Sequence, residues 1–79
     1  MQRPKKRSLT LKGHRTSVSL EDDFWDAFRD IARINGRAIN DLAAEIDASR
    51  GSSCGLASAI RLHVLDHYRG PARSDAARA

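Results

Sequence analysis

Residues 15–37 read RTSVSLEDDFWDAFRDIARINGR, and a change of period inside this run decides the fold. Thr16, Val18 and Leu20 alternate with Arg15, Ser17 and Ser19. A period of two puts apolar side chains on one face of an extended strand and polar ones on the other. From Phe24 onward the apolar positions Trp25, Phe28, Ile31, Ala32 and Ile34 form a helical stripe. Between the two patterns stand Glu21, Asp22 and Asp23, acids placed where a helix dipole favours them. Ser19 has the chemistry of a helix cap, and Gly36 after Asn35 suits a helix stop. The run predicts a short strand leading into a helix over about 21–35.

Upstream, Leu9 and Leu11 also alternate with polar residues, but on odd positions, so the phase flips near Gly13. Either a bulge at Gly13–His14 or two short strands meeting there accounts for the flip. The bulge is favoured, because Gly-His makes a poor two-residue hairpin turn. Residues 1–7, MQRPKKR, contain Pro4 and no apolar period, and predict a mobile basic arm. Downstream, Ile39, Leu42, Ala43 and Ile46 predict a second helix over about 39–49, ended by Gly51 and the Ser52-Ser53 pair. Leu56, Ala57, Ile60, Val64 and Tyr68, widened by Leu62 and Leu65, predict a third over about 53–69, stopped by Gly70-Pro71. Residues 70–79 are small and polar and predict a disordered tail. The expected organisation is an arm at 1–7, one domain at 8–69 and a tail at 70–79. The fold class is mostly α with one short N-terminal strand.

Seventy-nine residues form one domain at most, and so short a chain buries only about 60–70% of its unfolded surface. Cys54 is the lone cysteine, so no intrachain disulfide can staple it, and no Cys/His cluster has zinc spacing. A second subunit is the expected source of further buried surface. A lone amphipathic strand points the same way. Its backbone groups need a partner strand, and the same strand of another copy across a twofold axis supplies one. Val18, Leu20, Trp25, Phe28, Ile60 and Val64 are the expected core of that dimer. No apolar run approaches the roughly 18 residues that span a bilayer, and no hydrophobic stretch follows the charged N-terminus as in a signal peptide. A cytoplasmic protein with no membrane partner is expected.

Residues 1–20 hold Arg3, Lys5, Lys6, Arg7, Lys12 and Arg15 and no acid, whereas residues 21–79 hold eight basic and ten acidic residues. A basic end ahead of a mildly acidic body suggests a polyanion gripped from one side. One Trp, one Tyr and two Phe leave little for stacking on single strands. A two-stranded antiparallel ribbon fits the major groove of B-DNA.

The run at 15–37 resembles the strand and first helix of ribbon-helix-helix DNA-binding proteins. GHRTSVSLEDDFW (13–25) and LASAIRLHVLDHYR (56–69) are especially similar to a small bacterial subfamily of such domains. The resemblance covers about residues 8–69. It implies an intertwined homodimer with a two-stranded antiparallel intersubunit ribbon, and here an additional helix beyond the family's two. It implies base contacts from alternate outward strand residues, which map onto Arg15, Ser17 and Ser19. It also implies a phosphate anchor at the N-terminus of the family's second helix. SAIRLHVL is similar to that helix, which puts the anchor at Ser52–Ser53 and makes 37–51 an insertion. GRAIN, straight after the first helix, is similar to its start as well, which puts the anchor at the Ala38–Asn40 turn. Lys5, Lys6, Arg7 and Lys12, together with His14 beside Arg15, are further expected phosphate contacts. The expected function is a sequence-specific transcriptional regulator, a repressor, that binds double-stranded DNA without a cofactor.

Two other functions compete. The chain could be the antitoxin of a toxin pair, holding DNA with the ribbon and a toxin with its tail. The tail at 70–79 is short and almost free of large apolar groups, which argues against that role. A dimeric protein-interaction module would use its basic residues only for solubility, and would show no retention on DNA. Catalysis has little support: helix-start acids explain Glu21, Asp22 and Asp23, and Glu45 and Asp47 have no nucleophile or histidine beside them. No triad or phosphate loop is visible, and no enzyme is expected. His63 and His67 are four residues apart with Asp66 between them, but they lack the third ligand of a metal site. Cys54 is expected as a small, partly buried residue rather than a redox sensor.

Overall fold

The computed structural model describes residues 2–50 and 54–78. Its elements are β1 (Lys5–Leu11), β2 (His14–Leu20), α1 (Asp22–Ile34), α2 (Ile39–Ser49) and α3 (Leu56–Arg78). The stretch expected as one bent strand is a hairpin. β1 and β2 pair antiparallel within the chain, in register from Leu11↔His14 to Lys5↔Leu20. The expectation of a single N-terminal strand is corrected accordingly: β2 has a partner strand, β1, in its own chain.

The turn explains the difference. It is made by Lys12 and Gly13, not by Gly13 and His14, and their φ angles are 51° and 82°. Left-handed backbone at both central positions is the requirement of a type I′ turn, whose twist matches that of the flanking strands. A two-residue turn pairs odd-numbered residues with even-numbered ones. The flip of phase near Gly13 is therefore what keeps Leu9 and Leu11 on the same face as Val18 and Leu20. Lys5, Lys6 and Arg7, expected in a mobile arm, belong to β1. Ahead of them, Gln2 Oε1 accepts the Asp23 amide at 3.0 Å and ties this end to the start of α1.

The inward face of the hairpin closes over Phe28 and Ile31 of α1, Leu42 and Ala43 of α2, and Ile60 and Val64 of α3, all buried. Of the side chains expected in a dimer core, Val18, Leu20, Phe28, Ile60 and Val64 are covered by this chain's own elements. Trp25 is half-buried at the rim, its ring centroid 6.3 Å from that of Phe28. The large apolar side chains left exposed are Ile34, Leu62, Leu65 and Tyr68.

The helix limits follow from local chemistry with two corrections. α1 is preceded by Glu21 as its N-cap, without a side-chain cap bond. Ser19 stays in β2 and does not cap. α1 ends as expected at Asn35, with Gly36 at φ 65°. α3 starts at Leu56 and continues past Gly70-Pro71 to Arg78, where the sequence predicts a stop and a disordered tail. Pro71 removes one amide from the helix ladder, while Ala72, Ala76 and Ala77 are strong helix formers beyond it.

A Cβ at Gly13 would meet no atom within 4 Å, but it would sit at φ +82°. The penalty of Gly13→Ala is therefore one of backbone alone, roughly 1–2 kcal/mol. Phe28→Ala, at a fully buried position, should cost about 3–5 kcal/mol. Urea denaturation followed by circular dichroism measures both, and wild-type stability in Gly13→Ala would contradict the turn.

Candidate nucleic-acid interface

Because strand side chains alternate, the face of the hairpin turned away from the core carries Lys6, Ser8 and Thr10 of β1 and Arg15, Ser17 and Ser19 of β2, all exposed. The register aligns them as three cross-strand pairs: Lys6↔Ser19, Ser8↔Ser17 and Thr10↔Arg15. Two cations and four hydroxyls make this surface, with no acid, and every side chain on it can donate a hydrogen bond. Exposed Lys12 continues it at the tip, whereas His14, paired with Leu11 and also exposed, belongs to the other face of the hairpin. Among the described residues, Lys6, Lys12 and Arg15 enter no ion pair.

The other basic side chains of the hairpin are used differently. Lys5 Nζ bonds Asp22 Oδ2 at 3.2 Å, and Arg7 Nη2 bonds Asp22 Oδ1. The Arg7 guanidinium carbon lies 5.5 Å from the centroid of the Trp25 ring, in cation–π range. Nη2 of the same residue also reaches the Leu20 carbonyl at 3.4 Å. The Arg7 guanidinium first, and the Lys5 ammonium second, hold the Asp22 carboxyl below the usual carboxylate range. Two residues expected on phosphate, Lys5 and Arg7, thus fasten the hairpin to α1, and they sit on the face opposite Lys6.

The two edges of the hairpin are not equivalent. In a hairpin with a two-residue turn, the residues flanking the turn exchange hydrogen bonds, and every second residue after them aims its backbone outward. On β1 the outward set is Lys6, Ser8 and Thr10; on β2 it is Arg15, Ser17 and Ser19. The β1 edge is guarded by α2: the Thr10 amide donates to Asn40 Oδ1 at 3.1 Å. On β2, the Ser19 carbonyl accepts Arg61 Nη2 at 3.2 Å. Arg61 also bonds Glu21 Oε1 through Nε at 3.1 Å and Nη2 at 2.9 Å, and lies 5.7 Å over the Phe24 ring. Glu21 is held below its ordinary value, first by its own backbone N–H and then by Arg61. Ser17, in the middle of β2, has no partner for its amide or carbonyl among the described residues. Ser8, in the middle of β1, is likewise unbonded, so the edges differ at their ends: Thr10 has spent its single N–H, whereas the Ser19 carbonyl keeps a second lone pair and no outward amide of β2 is bonded among the described residues.

Asn40, part of one of the two expected phosphate anchors, is committed to the β1 edge. The α2 start has Ala38 as N-cap and no side-chain cap bond. The other expected anchor, Ser52–Ser53, lies outside the described residues. Cys54 is half-buried, its Sγ 3.5 Å from the Gly55 carbonyl.

A hairpin that leads through three acids into a helix, with donors on one face and apolar residues on the other, is the frame of a known domain. The family model for the ribbon-helix-helix domain matches residues 4–68. This chain belongs to the ribbon-helix-helix family. Its members are DNA-binding regulators that typically bind DNA as dimers. No match is found among curated proteins or among solved structures. Among the described residues, no helix is long and apolar enough to cross a membrane. For a ribbon-helix-helix chain the sequence reading missed Ser8 and Thr10 of the donor face, and it placed Lys6, an expected phosphate contact, in an arm rather than on this face. The signal was present: polar residues between Arg7, Leu9 and Leu11, followed by Lys12-Gly13 as the turn.

Asp22 and Glu21 both favour the folded state when ionised. With folded pKa values depressed, that stabilisation is present at neutral pH and is lost as the pH falls below about 4 and through the folded values. Asp22→Asn should melt lower than wild type at pH 7 and lose less stability between pH 7 and pH 3. Thermal melts at a series of pH values measure both, and an unchanged acid limb in Asp22→Asn would argue against the clasp.

Proposed function

We propose that this chain is a sequence-specific bacterial transcriptional repressor that works as a homodimer on double-stranded DNA, in the cytoplasm. The β2 strands of two copies pair at their open edges across a twofold axis near Ser17. Their outward face then enters the major groove. The observation that carries this reading is the acid-free row Arg15, Ser17, Ser19 beside a backbone edge whose outward amides are unbonded among the described residues and whose one tie is Arg61 on the Ser19 carbonyl. The exposed apolar side chains Ile34, Leu62, Leu65 and Tyr68, with half-buried Trp25, offer the second copy further surface.

In this arrangement Arg15 takes guanine O6 and N7 through its forked guanidinium, and Ser17 and Ser19 bond more than one kind of base edge. Lys6 and Lys12 lie at the margins and meet phosphate, with His14 beside them at the tip. Phosphate contacts set affinity and register, and base contacts set sequence. A dimer lodged in a promoter excludes polymerase by occupancy, so repression needs no chemistry from the protein.

Fluorescence anisotropy with a labelled pool of random duplex DNA, at two salt concentrations, tests the reading. Wild type should bind, more weakly at the higher salt. Arg15→Ala should lose roughly tenfold or more, since a bidentate arginine–guanine contact is worth about 1–3 kcal/mol and the dimer holds two. No binding even at low salt would overturn the reading in favour of a protein-interaction module. Binding indifferent to Arg15 would remove the hairpin from the groove.

A further inference from the structure

Under the DNA-binding reading proposed above, on which this rests, we infer that β1 is a phosphate rail: Lys6, Ser8 and Thr10 grip the sugar-phosphate walls of the groove and leave the bases to β2. Three observations lead there. First, β1 and β2 are held in one register, so the two outward rows run side by side and share one surface. Second, Asn40 occupies an outward amide of β1, that of Thr10, whereas among the described residues no outward amide of β2 is bonded, and the Ser19 carbonyl that accepts Arg61 keeps a second lone pair. A second copy adds at β2, giving the order β1-β2-β2-β1. Third, neighbouring strands lie about 4.8 Å apart, so the outer two strands of four stand about 14 Å from each other. The major groove is about 12 Å wide. The inner pair fits between the walls and the outer pair lies over them.

The chemistry of the β1 row suits a wall. It offers one ammonium and two hydroxyls, all exposed and without an acid among them, and such groups bond phosphate oxygens without regard to sequence. The long forked side chain, Arg15, is on β2 instead, where a base edge is within reach. Lys5 and Arg7, the alternate residues of the same strand, are held by Asp22. The rail therefore has a single cation per chain, two per dimer.

The test uses the full chain, with Lys6→Gln, Ser8→Ala and Thr10→Val combined, and a duplex selected from a random pool by wild type. Each substitution is on an exposed position, and valine keeps the strand preference of Thr10; unchanged thermal melting confirms folding. The variant should lose about tenfold in affinity for the selected duplex and for a scrambled one alike. Its slope of log affinity against log salt should be shallower by roughly 1.8, at about 0.9 for each of two lysines. The motif it selects from the random pool should be the same as wild type's. A changed motif would overturn the rail, because it would put β1 on the bases, with the hairpin of a single chain serving as the whole ribbon. Unchanged affinity and slope would overturn it too, because β1 would then be off the DNA. Should combined substitution lower the melting temperature, phosphate-ethylation interference on wild type and on Lys6→Gln alone decides: the rail predicts two flanking interference sites that Lys6→Gln erases. Wild type that binds no duplex at low salt ends the DNA reading itself, an outcome distinct from either failure of β1.

Discussion

The left-handed pair Lys12-Gly13 is the constraint on which the surface of this protein depends. With φ of 51° and 82°, the turn admits no spare residue, so it couples the odd positions of β1 to the even positions of β2. Every apolar residue of the hairpin then falls on one side, and Lys6, Ser8, Thr10, Arg15, Ser17 and Ser19 fall on the other. A three-residue loop would shift the register by one and turn one strand over, exposing Leu9 and Leu11 or burying Lys6. The same geometry decides which backbone groups point outward, and so which edge of the ribbon is available to another chain. Glycine supplies one of the two positive φ angles without strain. Lysine holds the other although asparagine or glycine would suit it better, and in return the tip carries a cation.

The hairpin is fixed to the helices by a small number of polar ties that differ from side to side. Asp22 takes Lys5 and Arg7 at the open end of the hairpin, with Arg7 laid over Trp25. Asn40 takes the edge of β1, and Arg61 joins β2 to Glu21 and Phe24. Two-stranded hairpins are marginal alone in water, so an apolar floor and such ties are needed for a rigid face. Their distribution also sorts the basic residues. Arg7 and Arg61 are half-buried organisers of the fold, while Lys6, Lys12 and Arg15 are left to solvent. Clustered charge in a sequence says that cations are near one another along the chain; only the register says which of them share a face.

α1 and α2 were legible in the sequence almost to the residue, because each carries a 3.6-residue apolar stripe, and the Asn35-Gly36 stop of α1 has its own chemistry. The strand region was harder. Its alternation and its phase flip were visible, but centring the flip on Gly13-His14 rather than Lys12-Gly13 turned a hairpin into a bulge. That single residue removed β1 from the reading and assigned Lys5, Lys6 and Arg7 to an arm. Ser19 was a plausible cap by residue type, yet strand pairing runs on to Leu20 and keeps Ser19 extended. The limit of α3 depends on whether one missing amide at Pro71 outweighs the alanines after it, a balance that a stop-signal rule does not weigh. For the candidate site, alternation put Arg15, Ser17 and Ser19 on one outward face and the family resemblance made them expected base contacts, while their neighbours across the ribbon required the register.

The composition of the donor face bears on how such a ribbon could choose a sequence. One guanidinium per chain is the only long forked donor on β2; Ser17 and Ser19 are short and accept several bases. Two bidentate arginines in a dimer supply about 2–6 kcal/mol of discrimination at 1–3 each. Specific sites usually stand about 4–10 kcal/mol above non-specific DNA. The upper part of that range is out of reach of Arg15 by itself. Under the proposed reading, the remainder has to come from the fixed distance between two Arg15 side chains across the twofold axis and from the shape of the DNA between them. Short serines favour that solution: they let the paired β2 strands sit close to the base edges, where groove width and bending are felt by a rigid sheet. A face built this way recognises a spacing and a groove geometry as much as a string of bases.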